Sequence, residues 1–210
     1  MTVPIPMRML HLPRDARGYP VPAGVLIDRD GIPQFTVNDE AARHRHIAED
    51  RCSICGGTLV DTRWFVGGPR AAFHDAGAYM DPPSHEECAH YALQVCPFLA
   101  APKYARRIDD KKMSAAAAAD MAVLADMTQI PERPQVFVAV LARRTVRSGL
   151  YIKPSRPYLA VEYWQHGERL GAEEGQAIAR RVMTAPLPEL QAPRVVRVGR
   201  SVQRYLDQLK

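Results

Sequence analysis

Apolar and polar positions change period along this chain, and each change marks an element. From Val25 to Val37 two apolar runs flank Asp30-Gly31, a pair that favours the tight turn of a β-hairpin, and Asn38 then stands where it can cap a helix running to about Asp50. A second stretch repeats the pattern: Tyr158 to Leu170 predicts a hairpin turning at His166-Gly167, followed by a helix from about Ala172 to Met183 with Ile178, Ala179 and Val182 on one face. Both helices open with acidic residues, which suit the positive end of a helix dipole. An ancient duplication would explain the likeness, but short hairpin-helix pieces also recur by chance, and chance ranks first.

Between and beyond these units, the β-branched run Gln135 to Thr145 reads as a strand. Ser114 precedes Ala115 to Ala119 and then Met121, Leu124 and Met127, a helix stopped by Pro131. Val202, Tyr205, Leu206 and Leu209 stand at helical spacing, so an amphipathic helix is expected from Ser201, with an apolar stripe suited to a core or to a homodimer face. Trp64 to Pro69 suggests a short hairpin. Proline punctuates the first 22 residues, which are expected to run extended over the core. The charged, aperiodic stretch Ile108 to Ser114 is the expected linker, dividing an N-terminal lobe (1–107) from a C-terminal α+β lobe (114–210).

Composition narrows the class. The 210 residues are 47% hydrophobic and 24% charged, as in ordinary globular proteins. No apolar run approaches the roughly 20 residues that span a bilayer, and the opening residues lack a signal-peptide core, so a cytoplasmic protein is expected, with no membrane contact. Four cysteines are too few for a disulfide scaffold in a chain of this length. The net charge of +5 conceals an asymmetry: residues 1–142 carry −2 and residues 143–210 carry +7. Arg143, Arg144, Arg147, Arg180, Arg181, Arg194, Arg197, Arg200 and Arg204 are therefore candidates for contact with nucleic-acid phosphates, although an arginine-rich surface is also common without such a role.

The most specific chemistry lies in Cys52-Ser53-Ile54-Cys55-Gly56 and Ser84-His85-Glu86-Glu87-Cys88. Two thiolates separated by two residues and followed by glycine form a knuckle in which both sulfurs face one cation. Pro82-Pro83 disfavours helix before Ser84, and Ser84 with Glu87 reads as a capping box, so His85 and Cys88 are expected at the first and fourth helical positions on one face. Together the four make a Cys3His set for a structural Zn2+. His74 or Cys96 could substitute for His85. Cys96, however, lies eight residues past Cys88, about 12 Å along a helix, and reads as a small buried residue at the Cys-Pro-Phe-Leu corner. His90 faces another side of the helix. The expected order of knuckle, hairpin and ligand-bearing helix gives an α+β fold with a treble-clef-like zinc finger flanked by hairpin-plus-helix units.

Pro82-Pro83-Ser84-His85-Glu86-Glu87-Cys88-Ala89-His90-Tyr91-Ala92, the Cys-x-x-Cys-Gly knuckle, Cys96-Pro97-Phe98-Leu99 and the proline-punctuated opening together resemble a group of small uncharacterised proteins encoded by bacteriophages and bacteria. The resemblance covers roughly residues 8–107. It implies a zinc-finger-like core and a phage or mobile-element origin, and it implies no substrate.

Catalytic chemistry finds little support. A treble-clef nuclease needs a histidine base beside a second cation; His74-Asp75 is the candidate dipeptide, and the downstream Asn and His ligands are missing. A zinc deaminase would need His-x-Glu ahead of Pro-Cys-x-x-Cys, and that order is absent. No phosphate-cradling glycine loop or Gly-x-Ser-x-Gly elbow occurs. His44 and His46 are two apart and so face apart on a helix. The preferred expectation is a non-catalytic zinc-stabilised protein docking on a host protein complex, such as a defence or transcription assembly, or on nucleic acid. A metal-dependent nuclease and a structural or assembly subunit are the alternatives.

Overall fold

A computed structural model describes residues 3–101, 123–125, 134–148, 151–185 and 194–197. Its elements, in chain order, are β1 (Val25–Ile27), β2 (Pro33–Asn38), α1 (Glu40–Ala48), β3 (Arg63–Gly67), α2 (Pro69–Phe73), α3 (Glu86–Val95), α4 (Pro97–Ala100), β4 (Val123–Ala125), β5 (Phe137–Ala142), β6 (Thr145–Ser148), β7 (Tyr151–Pro154), β8 (Ala160–Gln165), β9 (Glu168–Arg169), α5 (Ala172–Thr184) and β10 (Arg194–Arg197). The class is mixed α+β, as expected.

The centre is a four-stranded antiparallel sheet in the order β3-β5-β8-β9. Five of the six residues of β5 are buried, since both faces of the sheet are covered. One face carries Phe65, Val138, Val140 and Tyr163 against Ala72 of α2 and Ile178 and Ala179 of α5. The other carries Trp64, Phe137, Ala139 and Trp164 against Ala89 and Leu93 of α3. Alternation along each strand thus feeds two cores, one per face. Gly175 lets α5 approach closely: a Cβ there would sit 2.2 Å from the Cβ of Tyr163.

Both expected hairpins form. Gly31 adopts φ +77°, and His166 and Gly167 adopt +53° and +84°, the left-handed conformations that tight β-turns require. The helix after the first hairpin is capped by Asp39, which accepts from the Ala42 N–H; Asn38, the expected cap, instead donates to Asp81 at 2.8 Å. The expected hairpin over Trp64–Pro69 is replaced by the single strand β3 followed by α2, because the pairing partner of β3 is β5, far along the chain. The sheet therefore takes β3 from the N-terminal side of the expected linker and β5, β8 and β9 from its C-terminal side. The linker itself, most of the expected 114–127 helix and the expected helix from Ser201 lie outside the described residues; within the former, Val123–Ala125 is a strand paired with Arg194–Arg197.

The opening segment, expected to run extended, is bent by a short 3-10 turn at Met7–Met9 and doubles back between Arg14 and Pro20, where Gly18 adopts φ +85° and its N–H donates to Asp15 O at 2.9 Å. Met9, Leu12 and Val21 are buried, and Met9 and Leu12 pack around the cysteine knuckle. No helix among the described residues is long and apolar enough to cross a membrane.

Candidate metal centre

The Cys52–Cys55 knuckle is held by backbone hydrogen bonds from Cys52 N to Gly57 O (2.8 Å) and from Gly56 N to Cys52 O (2.9 Å), with Gly56 at φ +72°. That positive φ is why glycine follows the second cysteine. Ser53 N donates to Pro83 O at 3.0 Å, and Trp64 and Ser84 exchange paired backbone bonds at 2.9 Å. The knuckle, β3 and the start of α3 are thereby tied together.

Those paired bonds also shift the helix start. Ser84 is buried and engaged with Trp64, so the N-cap falls one residue later, on His85, with no side-chain capping bond. His85 consequently stands just before the helix and Cys88 in its first turn. Both still face the knuckle. The ligand atoms of Cys52, Cys55, His85 and Cys88 all lie within 4.8 Å of one another. A tetrahedral site with metal–sulfur bonds of about 2.3 Å has its donors roughly 3.5–3.8 Å apart, so the four atoms are close enough to close on one ion with small side-chain shifts.

Surroundings fit a cation equally well. Cys52 and Cys88 are fully buried and Cys55 nearly so, with Met9, Leu12, Leu59 and Tyr91 packed around them. The His85 ring has Nδ1 3.3 Å from Cys55 Sγ and Nε2 3.0 Å from Thr58 O. Donation from Nε2–H to that carbonyl leaves Nδ1 free to bind metal, the orientation by an outer partner that ligating histidines usually have. Cys55 N–H points at Cys52 Sγ at 3.4 Å, and His11 Nε2 lies 3.1 Å from Cys55 O, joining the N-terminal arm to the site.

Without a cation the sulfurs compete for charge. Burial opposes ionisation of Cys52, yet hydrogen bonds from Cys55, Cys88 and His85 outweigh it and hold that thiol well below its ordinary range. The hydrogen bond to Cys52 in turn pushes the Cys55 thiol up, and hydrogen bonds to Cys52 and Cys55 together with burial push Cys88 up. The bond to Cys52 also raises the His85 imidazole. A dication at the centre would let three thiolates coexist at this spacing.

The substitute ligands stand elsewhere. His74 is exposed after α2, with its Nδ1 accepting from Ala76 N at 3.1 Å, and neither it nor Cys96 joins the cluster. Cys96 is the C-cap of α3 and only half-buried, short of the burial expected for it. Among the arginine candidates, Arg143, Arg144, Arg147, Arg180 and Arg181 are exposed; Arg194 and Arg197 lie on the backbone of β10, and Arg200 and Arg204 fall outside the described residues.

Sequence reasoning missed a second polar cluster. His90 of α3 lies between Trp64 and Trp164, 5.3 Å from each ring centroid, with Nε2 2.8 Å from the buried Glu162 carboxylate. Glu162 also receives Trp164 Nε1–H at 3.0 Å and Arg169 at 2.9 Å. This network fastens α3, and with it two of the four metal-ligand candidates, to the sheet. Its signal was present: Glu162 shares strand parity with the inward Trp164, and a carboxylate on an inward face needs partners. No protein-family model matches the chain, and neither a curated protein nor a solved structure matches it.

Proposed function

We propose that the chain is a non-catalytic, zinc-stabilised binding protein of phage or mobile-element origin that docks on a host macromolecule, either a protein complex such as a defence or transcription assembly or nucleic acid. Cys52, Cys55, His85 and Cys88 hold the Zn2+, and β3 takes the place of the hairpin in a treble-clef-like arrangement of knuckle and helix. The observation that carries this reading is the donor set, whose four ligand atoms lie within 4.8 Å of one another. Three sulfurs and one imidazole nitrogen fill a tetrahedron, so no position remains for a water to be activated, and bound Zn2+ there supplies folding energy. Recognition is left to the surface.

The test immobilises the purified chain and a Cys88→Ser variant, and exposes both to host lysate with and without nuclease treatment. A defined partner retained by the zinc-loaded wild type and lost by Cys88→Ser is expected. Retention of nothing above background by folded, zinc-loaded protein rejects the binding role. Cys88→Ser should also unfold at least the 50–100 segment, because the small core around the knuckle cannot hold without its ion.

A further inference from the structure

Five cations and no carboxylate occur between Arg143 and Tyr158, the stretch that contains the β6–β7 hairpin. The hairpin is anchored at its buried Ile152, which exchanges backbone bonds with Tyr79 at 2.8 and 3.0 Å. That pairing lays the segment leaving β7 beside the loop after α2. Lys153 Nζ reaches Asp75 O at 3.2 Å and Arg156 reaches Phe73 O at 3.5 Å, so both cationic heads meet at this one loop. Here an open groove of about 600 Å³ is lined by Phe73, Arg156, Pro157 and Tyr158.

Groove chemistry combines rings with positive charge. Phe73 and Tyr158 are half-buried, each packing one side on the core. Tyr158 is fixed by its O–H, which donates to Ala72 O at 2.5 Å, and the Arg156 guanidinium lies over its ring at 5.7 Å. Exposed Arg144 lies beside Ser155, its N–H donating to Ser155 Oγ at 3.1 Å. Among the described residues one carboxylate opposes them: fully exposed Asp75, 4.0 Å from Arg156.

We propose that this groove binds single-stranded nucleic acid, stacking a base on Tyr158 and Phe73 as the Arg156 guanidinium leaves the Tyr158 ring for a flanking phosphate, with Arg144 and Lys153 taking two others. Fixed aromatic faces beside a cationic track are the elements of sequence-tolerant single-strand binding. Charge complementarity selects a polyanion, and the rings favour one with bases over an acidic peptide. The proposal deepens the binding role above by naming its partner.

The experiment titrates the full, zinc-loaded chain with a fluorescently labelled oligothymidylate across a salt series, with polyglutamate and unlabelled oligothymidylate as competitors. Three phosphate contacts predict a log–log salt slope of about −2. Arg156→Ala should weaken binding and reduce that slope by about 0.7. Tyr158→Leu should weaken binding about tenfold with the slope unchanged. Tyr158→Phe, which keeps the ring but loses its bond to Ala72 O, should weaken binding less than Tyr158→Leu, and Asp75→Asn should bind more tightly. Absence of binding at low salt, or unchanged affinity in Arg156→Ala, overturns the proposal. Displacement by polyglutamate as effective as by unlabelled oligothymidylate also overturns it, in favour of an acidic protein partner. Zinc content measured on the same preparation separates the two readings: a loaded chain that ignores oligothymidylate loses this partner alone, whereas a metal-free folded chain removes the zinc-based reading.

Discussion

Replacing Gly175 with alanine sets helix propensity against packing. In an exposed helix the change would stabilise by about 1 kcal/mol. Here the new Cβ would stand 2.2 Å from Tyr163 Cβ and 2.3 Å from its Cγ. Ordinary carbon contact begins near 3.5 Å, so the overlap exceeds about 1 Å. Rotation of Tyr163 cannot relieve it, because its Cβ is fixed to the backbone of β8. Helix α5 must therefore lift, opening a gap under Ile178 and Ala179, whose burial holds it to the sheet. Overpacking of this kind costs about 1–3 kcal/mol, and a gap of 0.5–1 Å forfeits roughly a quarter to a half of each dispersion contact it opens. After the propensity gain, a net loss of about 0–2 kcal/mol remains, equivalent to a fall in Tm of up to roughly 8 °C for a chain of this size. Thermal unfolding followed by circular dichroism reads it directly. Gly171→Ala, with nothing within 4 Å of its Cβ, should change stability by less than about 1 kcal/mol. A Gly175→Ala protein with a raised Tm would refute the packing of α5 on Tyr163.

Three further outcomes are expected. The Tyr79 hydroxyl is buried with no hydrogen-bond partner among the described residues, and burial pushes its ionisation up; Tyr79→Phe should be neutral or stabilise by about 1 kcal/mol in urea unfolding, and a loss of that size would reveal a hidden partner. Glu162→Ala leaves Trp164 Nε1 and Arg169 without their shared acceptor, removes the carboxylate facing His90 and should cost about 2–3 kcal/mol, discounted for the exposure of Arg169; a loss below about 0.5 kcal/mol would show that the network does not fasten α3. Burial holds the Glu40 carboxyl above its ordinary value, with Arg43 only partly offsetting it and Asp39 and Asp81 adding to the rise. The folded state thus binds this proton more tightly than the unfolded chain, whose glutamates titrate near about 4.3. The resulting stability is present below that pH and fades as pH rises through the higher folded value. Wild type should accordingly lose stability relative to Glu40→Gln over that window; a wild type that gains stability relative to Glu40→Gln as pH rises would mean the Arg43 pair outweighs burial.

What the sequence made legible was local. Cys52 and Cys55 announce a knuckle because two residues of spacing and a following glycine impose its geometry, and Asp30-Gly31 and His166-Gly167 announce turns because few residues tolerate positive φ. The clustering of His85 and Cys88 with the knuckle was legible from the same spacing. Non-local pairing was hidden. Nothing near Arg63–Gly67 reveals that its partner is Phe137–Ala142, so a hairpin was expected where a single strand stands. The same pairing network explains the displaced cap: Ser84 has the side chain for an N-cap, but Trp64 occupies its backbone. Val123–Ala125 sits in an alanine-rich stretch of high helix propensity and nonetheless pairs with Arg194–Arg197. His90 and Glu162 meet only because α3 crosses the sheet.

X-ray absorption at the zinc edge on freshly purified, full-length protein tests the metal centre most directly. One zinc per chain is expected, with three sulfur neighbours at about 2.3 Å and one nitrogen at about 2.0–2.1 Å. Protein that is folded yet free of stoichiometric metal, or a zinc shell containing a water oxygen in place of one of the four side chains, would contradict a closed Cys52, Cys55, His85 and Cys88 site.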